Sequence, residues 1–119
     1  MSETPRAVDN KLYEMLQDEQ IEEFNAYRAA GHTVDLRGAL LRGLDLRGLN
    51  VAGLDLQDCY FRGADLRGVD FRETNLEGVS MAEAQISGCY FPASLTAEEI
   101  RMSVELGTRI RTRGLETLS

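Results

Sequence analysis

A chain of 119 residues that is 43% apolar, 28% charged and free of Trp suits one small domain and leaves little room for two independent cores. Twenty acidic against thirteen basic residues give a net charge of −7, which excludes a whole-protein field that attracts nucleic acid or anionic lipid. No apolar stretch approaches the roughly 18 residues of a membrane span and the polar opening has no signal-peptide core, so the sequence reads as cytoplasmic, with a disordered start over residues 1–8.

Residues 9–33 read as an N-terminal helical cap. Leu12, Met15, Leu16, Ile21, Phe24 and Tyr27 recur at helical spacing, and Gly31 supplies a C-terminal stop. The spacing loses phase near Asp18 to Gln20, which leaves two short helices or one kinked helix open. His32 is the only histidine, so a metal centre or a Ser-His-Asp arrangement would rest on this one residue; it reads as a linker.

From Val34 to Ala93 the chain divides without insertion into twelve five-residue units, among them Leu-Asp-Leu-Arg-Gly and Ala-Asp-Leu-Arg-Gly. The middle residue of each unit is large and apolar, running from Leu36, Leu41 and Leu46 to Met81, Ile86 and Phe91. A period of five matches neither the 3.6 of a helix nor the 2 of a long strand, and fits a very short extended piece followed by a corner. In eight units Gly stands two residues after the centre, where a type II turn needs positive φ. Asp58, Glu73, Glu83 and Ala93 replace it at the other corners, which leaves another turn type open there.

Units of this style resemble those of the pentapeptide-repeat family, and the resemblance covers about half of the chain. It implies an all-β solenoid, a right-handed quadrilateral β-helix with four units per coil and hence three coils over residues 34–93, closed by N- and C-terminal helical caps. Strand spacing makes such a stack only ~14 Å long, and its open ends require those caps. The stretch Glu-Phe-Asn-Ala-Tyr-Arg ahead of the first unit is similar to the helix that plugs the first coil in many family members.

Residues 94–113 read as a C-terminal helical cap and dimerisation segment. Pro92 cannot donate to a further ladder, Thr96-Ala-Glu-Glu99 has the form of a capping box, and Gly107 either ends the helix or interrupts it. Ile100 and Val104 are spaced to cover the last coil, which leaves Met102, Leu106 and Ile110 facing outward for a two-fold contact with a second copy. The monomeric alternative is that the tail from Gly107 folds back over that stripe. Residues 114–119 are expected to fray.

Cys59-Tyr60-Phe61 and Cys89-Tyr90-Phe91 repeat one motif six units apart, or one and a half coils, so the two cysteines fall on opposite walls as small core residues without a disulfide. The Asp and Asn residues ahead of the centres recur because the repeat dictates them, with no pocket to desolvate any of them, and no catalytic, cofactor or metal site is expected. Stacking the units in fours gives the second wall Leu40, Tyr60 and Ser80 before the centres and Arg42 and Arg62 after them. Leu40 stands where Asp or Asn is expected. An apolar pair beside two arginines is the mixture enriched at protein interfaces, which makes Leu40, Tyr60, Arg42 and Arg62 the interaction candidates. The alternative is that a flanking helix covers this wall. Arginines beside Asp45, Asp65 and Asp70 read as solvated ion pairs worth little each.

The favoured function is a non-enzymatic interaction or scaffold module presenting flat walls to an unknown protein partner. The resemblance implies a second reading, because some family members mimic DNA and bind DNA gyrase. Against it, ~14 Å spans only about four base pairs, and nine acids against six arginines leave the repeats at −3. A weak nucleic-acid binder using Arg42, Arg62, Arg47, Arg67 and the basic tail is disfavoured by net charge and by the lack of several exposed aromatics.

Overall fold

In the repeats the backbone turns sharply every five residues. Hydrogen bonds from the first residue of a unit back to the preceding centre close these turns, from Ala39 to Leu36 through to Cys89 to Ile86. The eight corner glycines hold φ between 69° and 84°. Asp58 and Glu83 take the same left-handed conformation at φ 63° and 60°, so only Glu73 and Ala93 leave the pattern. The computed structural model describes residues 10–112, and the expectations for residues 1–8 and 114–119 lie outside that range.

The all-β expectation is corrected. Among the described residues there is no β-strand; the regular elements are three short helices, α1 (Asn10–Gln17), α2 (Ile21–Ala29) and α3 (Ala97–Leu106). The chain does return to itself every twenty residues, but through isolated parallel bridges one residue long, including Leu40 to Tyr60, Tyr60 to Ser80, Asp45 to Asp65, Asp65 to Gln85 and Asp70 to Tyr90. The cause is the corner itself. With a turn in every five residues, extended backbone ends before a second consecutive pair can form. Each bridge lies in a column of units stacked twenty residues apart, and a passage of twenty residues is called a coil below.

Ten of the twelve centres are buried, from Leu36 to Met81, whereas Ile86 and Phe91 in the last units are only half-buried. Phe71 stacks on Phe91 with ring centroids 5.7 Å apart and meets Phe61 edge-on at 6.2 Å. Both cysteines are free. Their thiols donate to carbonyls of the preceding coil, Cys59 to Leu36 at 2.7 Å and Cys89 to Leu66 at 2.9 Å. Burial raises the Cys89 thiol above its usual range.

Helices α1 and α2 are separate, with Glu19 at φ 59° between them. Their polar side chains satisfy the first coil where no earlier coil exists to pair with it. Glu19 accepts from the Asp45 N–H at 2.7 Å, Asn25 accepts from Asn50 and donates to Gly48, and Arg28 donates to the carbonyls of Asn50 and Ala52. Phe24 is fully buried beneath them. At the other end, Thr96 caps α3 through the Glu99 N–H, Gly107 ends it in the left-handed region, and the buried Ser103 hydroxyl accepts from the Met81 N–H at 2.9 Å. No described helix is long and apolar enough to cross a membrane.

Two stability measurements probe this arrangement. Leu66→Ala, in a fully buried centre, is expected to cost about 2–5 kcal/mol in denaturant unfolding, and Ile86→Ala clearly less because its side chain is already half-exposed. Gly63→Ala meets open space, so it carries only the left-handed penalty of about 1–2 kcal/mol. A Cβ on Gly78 would overlap the Asp58 carboxylate, which is held by Arg109. Gly78→Ala is therefore expected to cost more than Gly63→Ala, and the excess should vanish in an Asp58→Gly background.

Candidate interaction face

Where Asp precedes the centre and Arg follows it, the two side chains project from the same side of the backbone and close a fork. Arg37 donates to both Asp35 oxygens at 3.0 and 2.9 Å, Arg47 to Asp45 at 2.9 and 2.7 Å, Arg67 to Asp65 at 2.8 and 2.6 Å, and Arg72 to Asp70 at 3.0 and 2.7 Å. The backbone N–H of each of these arginines also donates to the same carboxylate. These hydrogen bonds from Arg47 and Arg72 hold the carboxyls of Asp45 and Asp70 down at about 2. In the third column Arg47 also reaches Asp65 at 3.4 Å, linking two forks.

The second column breaks this rule. Leu40 and Tyr60 occupy the position of the carboxylate, so the fork cannot form at Arg42 or Arg62. Both arginines are exposed. Among the described residues no hydrogen bond or ion pair is made by the Arg42 guanidinium, and that of Arg62 has only a long contact of 3.8 Å with the exposed Glu83. Helix α1 runs alongside without covering the place, for Tyr13 and Gln17 both donate to the Leu40 carbonyl while the Leu40 side chain stays 53% exposed. The result is a shallow depression of about 580 Å³ lined by Tyr13, Gln17, Leu40, Arg42, Arg62 and Glu83. A comparable depression on the fourth column includes Arg72, but there the guanidinium is already bound by Asp70.

Tyr60 is engaged by the C-terminal tail and does not line the depression. Arg109 lies 5.0 Å over its ring, donates to its hydroxyl and to the Gly78 carbonyl, and pairs with Asp58 at 3.2 Å. Leu40, Arg42 and Arg62 therefore share the open depression while Tyr60 is half-buried under Arg109.

The outward stripe expected of the C-terminal segment is corrected at Ile110. That residue is fully buried, because the left-handed Gly107 reverses the chain and the tail runs back along the last coil. Arg109 bridges Ser80 in antiparallel sense, the Ile110 N–H donates to Val79 at 2.8 Å, and the Gly78 N–H donates to Ile110 at 2.7 Å. Met102 is half-buried and Leu106 is 72% exposed, so the stripe shrinks to one fully presented side chain. His32 stacks on Tyr27 at 4.5 Å, and no group of three His, Cys, Asp or Glu among the described residues could hold a metal ion.

Sequence reasoning missed Tyr13, Gln17, Glu83 and Arg109. Tyr13 and Gln17 are one helical turn apart on a shared face, and Glu83 was visible as a corner without Gly, but where α1 and the tail dock was not written in either signal.

The forks carry a pH expectation. Asp45 and Asp70 have folded values near 2, below the ordinary carboxylate range near about 4, so their contribution to stability is present above that range and is lost as pH falls from about 4 through about 2. Carboxyl NMR titration should place both midpoints near 2, and high salt should move them upward because the pairs are exposed.

A family model described as pentapeptide repeats matches residues 55–91 in eight copies. No curated protein and no solved structure matches the chain. Residues 55–91 are therefore a repeat-protein module of the pentapeptide-repeat type, and they continue in register from the units that begin at Val34.

Proposed function

We propose that this protein is a non-enzymatic interaction module whose second repeat column receives a protein partner. One observation carries the reading: of the six units that keep arginine after the centre, only those with Leu40 and Tyr60 lack the aspartate before it, leaving Arg42 and Arg62 without the fork that binds the other four. Arginine is enriched at interfaces, and a guanidinium left without its carboxylate beside exposed apolar surface does little for a monomer. The neighbouring carboxylates speak against an enzyme, since forked aspartates with lowered proton affinity are poor general acids or bases near neutral pH.

The gyrase-binding reading fares worse on charge. A DNA mimic must present free negative charge at about one per 1.7 Å, whereas Asp35, Asp45, Asp65 and Asp70 are each neutralised by an adjacent arginine. Purified protein at low micromolar concentration is expected to leave gyrase supercoiling unchanged, and potent inhibition would reverse this preference.

The interaction reading is tested with a photo-crosslinking p-benzoylphenylalanine in place of Leu40, and in place of the exposed Ala52 as a control on the fourth column. Irradiation in the native cell should give a discrete adduct from position 40 that Arg42→Ala weakens, and none of the same mass from position 52. Identical adducts from both positions, or none from position 40, would sink the proposal.

A further inference from the structure

We infer that the depression beside Leu40 takes a short acidic segment of the partner protein, with a carboxylate engaging Arg42 and Arg62 and an adjoining apolar side chain resting on Leu40. This rests on the interaction reading of the same face. The repeat itself states the chemistry that is missing. At Arg37, Arg47, Arg67 and Arg72 the guanidinium of the after-centre position is bound in a fork by a carboxylate. At Arg42 and Arg62 that carboxylate is absent from the chain, so a partner's Asp or Glu supplies the bidentate acceptor this position otherwise has. The two arginines belong to adjacent coils joined by the Leu40–Tyr60 bridge, where neighbouring backbones run about 4.8 Å apart, close enough for one acidic segment to reach both.

Three further features set the occupant's class. Leu40 and the half-buried Tyr13 give the depression an apolar floor, which a polyphosphate chain cannot use and a leucine-like side chain can. The depression itself offers two arginines and the whole chain carries −7, so a nucleic-acid backbone meets net repulsion beyond it. Glu83 stands at the rim with its loose 3.8 Å contact to Arg62, as a resident carboxylate that an incoming one displaces.

The test uses the full chain and two fluorescein-labelled peptides, Asp-Glu-Leu-Asp-Glu and its neutral counterpart Asn-Gln-Leu-Asn-Gln, followed by fluorescence anisotropy. The acidic peptide is expected to bind and the neutral one to bind at least tenfold more weakly. Arg42→Ala with Arg62→Ala should weaken the acidic peptide tenfold or more, Leu40→Asp likewise, while Arg67→Ala on the third column leaves it unchanged. Glu83→Gln should tighten it several-fold, an effect that damage to the fold would not produce. The proposal is overturned if no acidic peptide binds at millimolar concentration, if the double variant binds as the parent does, or if inorganic phosphate competes as well as the peptide. It also falls if light scattering shows a dimer that Arg42→Ala disperses, since the occupant is then a second copy. A position-40 adduct that the acidic peptide fails to compete away leaves the interaction reading standing and removes the acidic occupant. Peptide binding without any adduct does the reverse.

Discussion

A left-handed corner once in every five residues is the constraint on which the rest of this protein depends. Ten of the repeat corners hold positive φ, eight at glycine and two at Asp58 and Glu83. Because the chain must turn that often, the middle residue of each unit points into the stack and the residues on either side of it point out. The same corner limits each contact between stacked units to one bridge, so cohesion comes from burial of the centres and from two or three backbone hydrogen bonds per stacked pair rather than from strands. Asp and Arg then sit two residues apart on the outer surface of short extended backbone, the separation at which a fork closes.

A stack built from such short contacts has two ends, and the flanking segments treat them differently. The first coil is met by side chains, with Glu19, Asn25 and Arg28 supplying the acceptors and donors that an earlier coil would have provided. The last coil is met mainly by backbone, from Val104 in α3 and from Ile110 in the returning tail. That closure reaches the first and second columns of the last units. Ile86 and Phe91, in the third and fourth, stay half-exposed.

Much of this was legible in the sequence. Twelve centres in register announced the inward row, the stacking in fours placed Leu40 over Tyr60 and Asp45 over Asp65, and Thr96 and Gly107 marked both ends of α3. Strand content was not legible, because a five-residue period fixes where the chain turns but not whether the intervening backbone is long enough for consecutive pairs. Ile110 was misplaced for a related reason: helical spacing was carried past Gly107, although a left-handed glycine there turns the chain back and puts the next apolar residue on the coil. The depression was half visible. Leu40 and Arg42 stood out as departures from the repeat, whereas the contributions of Tyr13 and Gln17 depend on how α1 docks, which local pattern does not specify.

In a repeat protein the information about partners resides in the departures from the repeat. A unit that obeys the pattern satisfies its own charges, as the forks on the first, third and fourth columns do, and presents a partner with little that is not already bound. The second column departs at Leu40 and again at Tyr60, one coil higher, and the two departures have different fates. Tyr60 is answered from within the chain, by the Arg109 guanidinium over its ring and the ion pair to Asp58 that holds it there. Leu40 and Arg42 receive no such answer, although α1 passes close enough for Tyr13 and Gln17 to bond the Leu40 carbonyl. A cap that reaches the backbone of a residue and leaves its side chain and the adjacent charge open has closed the end of the coil without closing the face.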